Sequence, residues 1–113
     1  HRHKADSPSG TALALAETIA AALDAGLGDR AVYGRQGVAP RRRGELGIHA
    51  VRAGGNVGEH TIILADEGEE LRITHRALSR RTFALGALRA ASFVVQQPPG
   101  FYTMADFVAA TSR

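Results

Sequence analysis

The spacing of apolar and polar residues changes several times along this chain, and each change marks an element. Residues 9 to about 25 are mainly Ala, Leu, Ile and Thr, with only Glu17 and Asp24 charged. That composition predicts a helix apolar on nearly every face and covered on more than one side. Gly26 and Gly28 are placed to supply the left-handed conformations that end it. No period is sustained from Gly28 to Gly44, where Gly34, Gly37 and Pro40 mark a long connection carrying a short strand at residues 31–33. Alternation then predicts three strands, at residues 45–52, 57–65 and 69–76. In the first, Leu46, Ile48 and Ala50 share a face. The linkers at 53–56 and 66–68 hold the Gly, Asn and Asp of hairpin turns, which makes an antiparallel meander the expectation. A second helix is predicted over 79–95, capped by Ser79, with Phe83, Ala87, Ala90, Ala91 and Val94 on its buried face. After Gln97, Pro98, Pro99 and Gly100, a short terminal helix carries Met104, Phe107 and Val108 on an apolar edge.

Together these elements give an α+β fold: a mostly antiparallel, mixed sheet of about four strands with two main helices on one face. Val51 and Ile62 or Ile63 leave the other face partly apolar, which points to sheet-to-sheet association of identical subunits. A chain of 113 residues makes one domain, residues 1–113, rather than two.

Composition narrows the function. There is no cysteine, so neither disulfides nor thiolate metal sites hold the fold, which fits a reducing cytoplasm. No apolar run approaches the ~20 residues that cross a bilayer, so a soluble protein with no membrane partner is expected. The net charge is +3, and its densest source, Arg41 to Arg43, reads either as a solvated loop or as a contact for an anion. Two tyrosines and four phenylalanines, none interleaved with basic residues, argue against nucleic acid. The chain starts at His1 without Met, and its densest chemistry lies at that start, so it reads as a fragment that begins inside a motif.

That chemistry is HRHKADSPSGTALALA, His1 to Ala16. Cationic residues are followed by Ser9, Gly10 and Thr11 at a helix start, where free N–H groups and partial positive charge favour an anion and glycine lets it come close. Lys4 and the histidines add proton donors beside this carboxylate or phosphate cradle. The plainer alternative is that Ser9 only caps the helix behind a frayed basic tail. His1 and His3 alternate and lack a carboxylate pattern, so no metal site is expected. Arg80 and Arg81 oppose the dipole of the second helix, which fits either solvated arginines or a cofactor phosphate. His49, His60 and His75 read as structural or interface histidines, and Glu45, Glu59 and His60 as hydrogen-bonding members of the sheet.

The stretch HRHKADSPSGTALALAE, His1 to Glu17, resembles the signature of the dihydrodipicolinate reductase family of lysine and diaminopimelate biosynthesis, approximately His-His-x-x-Lys-x-Asp-x-Pro-Ser-Gly-Thr-Ala. The stretch from Gly44 to Arg80, FALGALRAA and PGFYTMADFV agree as well. The resemblance implies an oxidoreductase with a Rossmann-like domain for NADPH or NADH, followed by an α+β domain that binds a cyclic dicarboxylate and forms a homotetramer through its sheets. This chain is similar to that second domain alone, and its partners would be the substrate, its own N-terminal Rossmann-like domain and copies of itself. By the same resemblance Lys4 is the proton donor or polarising group, Ser9, Gly10 and Thr11 hold a substrate carboxylate, and His1 is a substrate contact. Arg80 and Phe83 match cofactor-proximal positions. The first histidine of the signature pair would immediately precede His1, so the fragment alone is expected to be inactive, as it would also be if this were a binding or assembly module of the same fold. Ala5 and Ser7 depart from the commoner Val and Ala, outside these contacts.

Overall fold

Ser9 opens the first helix with an extended backbone (φ −72°, ψ 154°), and its Oγ accepts the N–H of Ala12 at 3.1 Å. This is the side-chain capping that serines at such positions provide. The helix, α1, runs Gly10–Ala22 in a computed structural model that describes residues 1–112. Chain contacts divide into two units, His1–Arg76 and a second from Ala77 onward.

In the first unit α1 ends earlier than its composition predicts. The N–H groups of Leu23 and Ala25 both reach Ala20 O at 3.0 Å, and Asp24 between them takes φ 51°. Aspartate tolerates the left-handed region better than most residues because its short side chain bonds locally. Asp24, not Gly26 or Gly28, therefore stops the helix. Gly26, at φ −77°, instead caps a short helix, α2, Leu27–Arg30. Ala16 and Ala20 are buried, with Leu13 and Ile19 partly covered, where α1 meets α2 and a following strand. Ala14, Glu17, Thr18 and Ala21 stay exposed. One face is covered rather than several, since Ala and Thr make a face permissive to cover without requiring it.

Two short strands, β1 (Ala31–Tyr33) and β2 (Leu46–Ile48), pair in parallel with Ala31 opposite Leu46. Parallel pairing demands a crossover, and the later part of the connection predicted from Gly28 to Gly44 forms it, between Tyr33 and Leu46. Its end is fixed by Arg30, whose Nη1 donates to Gly44 O at 3.1 Å. Gly44 sits at φ 74°, and a Cβ there would lie 2.3 Å from the same Nη1. The left-handed backbone favours glycine at this position, whereas the Arg30 guanidinium ends a flexible side chain that can move aside.

The strands β3 (Gly58–Ala65) and β4 (Glu70–Ala77) form a hairpin closed by Asp66 N–H to Glu69 O at 2.9 Å. The cross-strand pairs Thr61 with Thr74 (Oγ1 to Oγ1, 3.0 Å) and Glu59 with Arg76 (3.4 Å) share its antiparallel register. The α+β class is therefore observed, with the four strands joined two by two, one pair parallel and one antiparallel. The expected meander through residues 45–52 is not formed. Past Ile48 the chain turns its polar groups to the N-terminal segment: Gly54, at φ 52°, accepts Arg2 N–H at 3.0 Å, and Arg52 donates to the carbonyl of Asp6.

The second unit holds α3, Arg81–Val94, and α4, Met104–Thr111. Arg80, already helical (φ −63°, ψ −20°), stands at the N-cap in place of the expected Ser79, whose Oγ accepts Arg81 N–H at 3.2 Å from one residue earlier. Thr103 and Asp106 make a reciprocal capping box on α4. Phe93 meets Tyr102 edge-on at 5.9 Å and Phe107 at 5.7 Å. The partly covered positions of α3 are Gly86, Ala90 and Phe93, whereas Phe83, Ala87, Ala91 and Val94, predicted to be buried, are exposed. The aromatic cluster turns α3 toward α4, an attraction that helical spacing alone does not reveal.

Candidate functional site

The N-terminal segment is held in place rather than frayed. Arg2 is tied to Gly54 and Asp6 to Arg52, as above, while Lys4 N–H reaches His1 O at 3.2 Å and His3 N–H reaches His1 Nδ1 at 3.1 Å. Lys4 extends its ammonium to the Asp6 carboxylate at 2.7 Å. The hydrogen bond from Lys4, followed by smaller charge effects from Lys4 and Arg52, holds the Asp6 carboxyl below the usual carboxylate range. The Lys4 side chain is about a third exposed, and its ion-pair partner is itself exposed and exchangeable. The peptide bond between Ser7 and Pro8 is cis.

At the start of α1, Ser9 Oγ takes Ala12 N–H and the Ser9 carbonyl takes Leu13 N–H at 3.0 Å. The amides of Gly10 and Thr11 are the first two of the helix and have no carbonyl behind them within it. They coincide with the Ser-Gly-Thr triplet that the sequence singles out. A Cβ at Gly10 would meet no heavy atom within 4 Å, and its backbone is ordinary helix. Neither packing nor conformation asks for glycine here, though glycine weakens a helix by up to ~1 kcal/mol. The space it leaves is open to a ligand. Two N–H donors, the Ser9 and Thr11 hydroxyls and the positive helix end together suit a carboxylate.

Ser9 is held from the opposite side by His60, whose Nε2 lies 3.0 Å from Ser9 Oγ. His60 sits on the partly covered face of β3, while its neighbours Glu59 and Thr61 face the other way toward Arg76 and Thr74. The sequence marks His60 as a hydrogen-bonding sheet residue but not as part of the cradle. Nor do Asp6 and Arg52 stand out in it as supports for Lys4. Only the three-dimensional pairing of distant segments reveals these links, although the Lys-x-Asp spacing was a signal for the first.

An open cleft of about 430 Å³, lined by Ser7, Pro8, Tyr33, Gly34, Ile48 and Ala50, lies beside the segment leading into the cradle. A larger one of about 520 Å³ contains Arg35, Arg41, Glu45 and His49 but none of the predicted site residues. Of the arginine run, one side chain, that of Arg41, braces the loop, and Arg41 to Arg43 all remain exposed. Arg41 donates to Glu45 O at 2.9 Å, Arg42 N–H to Glu45 Oε2 at 3.1 Å, and Arg35 pairs with the buried Glu45 carboxylate. Arg80 and the exposed Phe83 belong to the second unit, at the start of α3.

The family model described as dihydrodipicolinate reductase, C-terminus, matches residues 1–108. A 4-hydroxy-tetrahydrodipicolinate reductase of Rubrobacter xylanophilus is 53% identical over 111 residues, covering 98% of this chain and 43% of the relative. Enzymes of the same name from Akkermansia muciniphila and Halorhodospira halophila are 52% and 51% identical, over 94% and 96% of this chain and 44% and 41% of their own lengths. The chain thus spans about two-fifths of the curated relatives it matches.

Proposed function

The chain belongs to the dihydrodipicolinate reductase family, matching its C-terminal part, and on that premise we propose that it is the substrate-binding domain of an NAD(P)H-dependent reductase. The substrate is a cyclic dicarboxylate, 4-hydroxy-tetrahydrodipicolinate or its dehydrated form, reduced to tetrahydrodipicolinate in lysine and diaminopimelate biosynthesis in the cytoplasm. The observation that carries the reading is the start of α1, where the amides of Gly10 and Thr11 and the Ser9 hydroxyl lie beside an open Cβ position at Gly10.

In this mechanism one carboxylate sits on Ser9, Gly10 and Thr11, and Lys4 exchanges Asp6 for the substrate. His1 is a further substrate contact. Reduction of the ring leaves a centre that needs a proton, and Lys4 Nζ is the acid that supplies it or stabilises the charge as it develops. The nicotinamide cofactor supplies hydride when bound. Among the described residues no strand leads through a glycine loop into a helix, the arrangement that cradles a dinucleotide pyrophosphate. The Gly54–Gly55 pair instead precedes β3. By the chain's resemblance to the family, the cofactor is assigned mainly to a Rossmann-like domain of the parent enzyme, with Arg80 and Phe83 as its contacts from this chain.

Leu64 and Ile73 of the β3–β4 hairpin are both about half exposed. Apolar strand surface of this kind supports the homotetramer reading, in which sheets of neighbouring subunits cover each other. The test of function is titration of the chain with pyridine-2,6-dicarboxylate, followed by amide NMR. Shifts centred on Gly10 and Thr11 are expected, and binding elsewhere would remove the assignment. Cofactor oxidation by the parent enzyme separates a reductase from an inactive assembly module.

A further inference from the structure

A serine hydroxyl has one proton to give and two lone pairs with which to accept, and at Ser9 one lone pair is already engaged by Ala12 N–H at 3.1 Å. The 3.0 Å contact with His60 Nε2 can run either way. If Ser9 donates to His60, its proton is consumed and the cradle loses its hydroxyl donor. If His60 Nε2–H donates, Ser9 accepts twice and its O–H is left to point at a ligand. A carboxylate has only acceptors to offer, so its arrival favours the second arrangement.

We propose that His60 is a positioning residue of the carboxylate cradle: protonated on Nε2, it donates to Ser9 Oγ and thereby turns the Ser9 proton toward the bound carboxylate. The inference rests on the substrate reading above and adds a residue to it. His60 is well placed for the role. It is half-buried on a long strand whose register is pinned by the Asp66–Glu69 turn, the Thr61–Thr74 pair and the Glu59–Arg76 pair. The Nε2–H tautomer of neutral imidazole suffices, so no change of charge is needed.

The test is ring-nitrogen NMR of His60 in the parent enzyme, titrated with pyridine-2,6-dicarboxylate, alongside His60→Gln and His60→Leu. In the complex Nε2 is expected to carry the proton. His60→Leu should weaken binding about tenfold, the effect of losing one hydrogen bond that orients a charged-group contact. His60→Gln, which keeps an N–H donor near the Nε2 position, should restore affinity to within about threefold. In a Ser9→Ala background His60→Leu should cost nothing further, because the effect passes through the serine. A bare Nε2 in the complex, or an equal loss from His60→Leu with and without Ser9, overturns the proposal while leaving the cradle intact. Should the unsubstituted parent enzyme show no response at Gly10 and Thr11, the substrate reading falls and this inference falls with it.

Discussion

The Lys4 ammonium lies 2.7 Å from the Asp6 carboxylate, so the cation proposed to act on substrate is held by a neighbour until a ligand displaces it. Both side chains are substantially exposed, which keeps the pair weak and the exchange easy. In the intact reductase, Lys4→Ala should lower turnover by about 10²-fold or more, the usual scale for a lost general acid. Asp6→Asn should tighten dicarboxylate binding a few-fold by removing the competing anion, as measured by calorimetry. Unchanged turnover in the first variant would take Lys4 out of the chemistry, and weaker binding in the second would make Asp6 a guide for Lys4 rather than a competitor.

Gly10→Ala separates folding from binding. The added methyl meets nothing in the chain, so thermal stability should stay the same or rise by at most ~1 kcal/mol. The methyl would occupy the space assigned to the carboxylate, and affinity for pyridine-2,6-dicarboxylate should fall at least tenfold. Undiminished affinity would show that the ligand does not approach Gly10.

The buried Glu45 gathers the ends of the 34–45 connection through Arg35 and the Arg42 amide. Glu45→Ala leaves the arginine without its partner in a partly buried setting, so a loss of about 2 kcal/mol is expected in denaturant unfolding. Gly44→Ala should also destabilise, since the methyl meets Arg30 and the backbone is left-handed.

Asp106 predicts a pH effect confined to α4. Its carboxyl is held below the ordinary 3.8 by the hydrogen bond from the Thr103 side chain and then by the Thr103 backbone. Because the folded form has the lower pKa, the stabilising effect is full above about 3.8 and is lost as pH falls through the folded value. Amide exchange in α4 should therefore accelerate at acid pH, and Asp106→Asn should flatten that dependence.

The start of α1 at Ser9 was legible in the sequence because capping is local: Ser-Gly-Thr after a proline turn specifies which amides are left over. The position of β3 and β4 was equally legible, since alternation and the turn at Asp66 are short-range signals. What failed was pairing at a distance. Residues 45–52 alternate like a meander strand, yet Arg52 and Gly54 bind the N-terminal loop, and the short β1 claims β2 in parallel. The end of α1 was misplaced because glycine is the commoner left-handed residue and Asp24 took that role instead. His60 reads from the sequence only as a hydrogen-bonding strand residue, because a lone strand histidine looks the same whether it faces a neighbour strand or, as here, a serine far away in sequence.

Among the described residues the buried apolar side chains are Ala16, Ala20 and Ala77, and no large side chain is fully buried. Such a chain, studied alone, should unfold with a heat-capacity increment and a denaturant slope below those usual for its length, because little oily surface is left to be newly wetted. Both quantities should grow, and the melting midpoint become concentration-dependent, once other subunits or domains cover it.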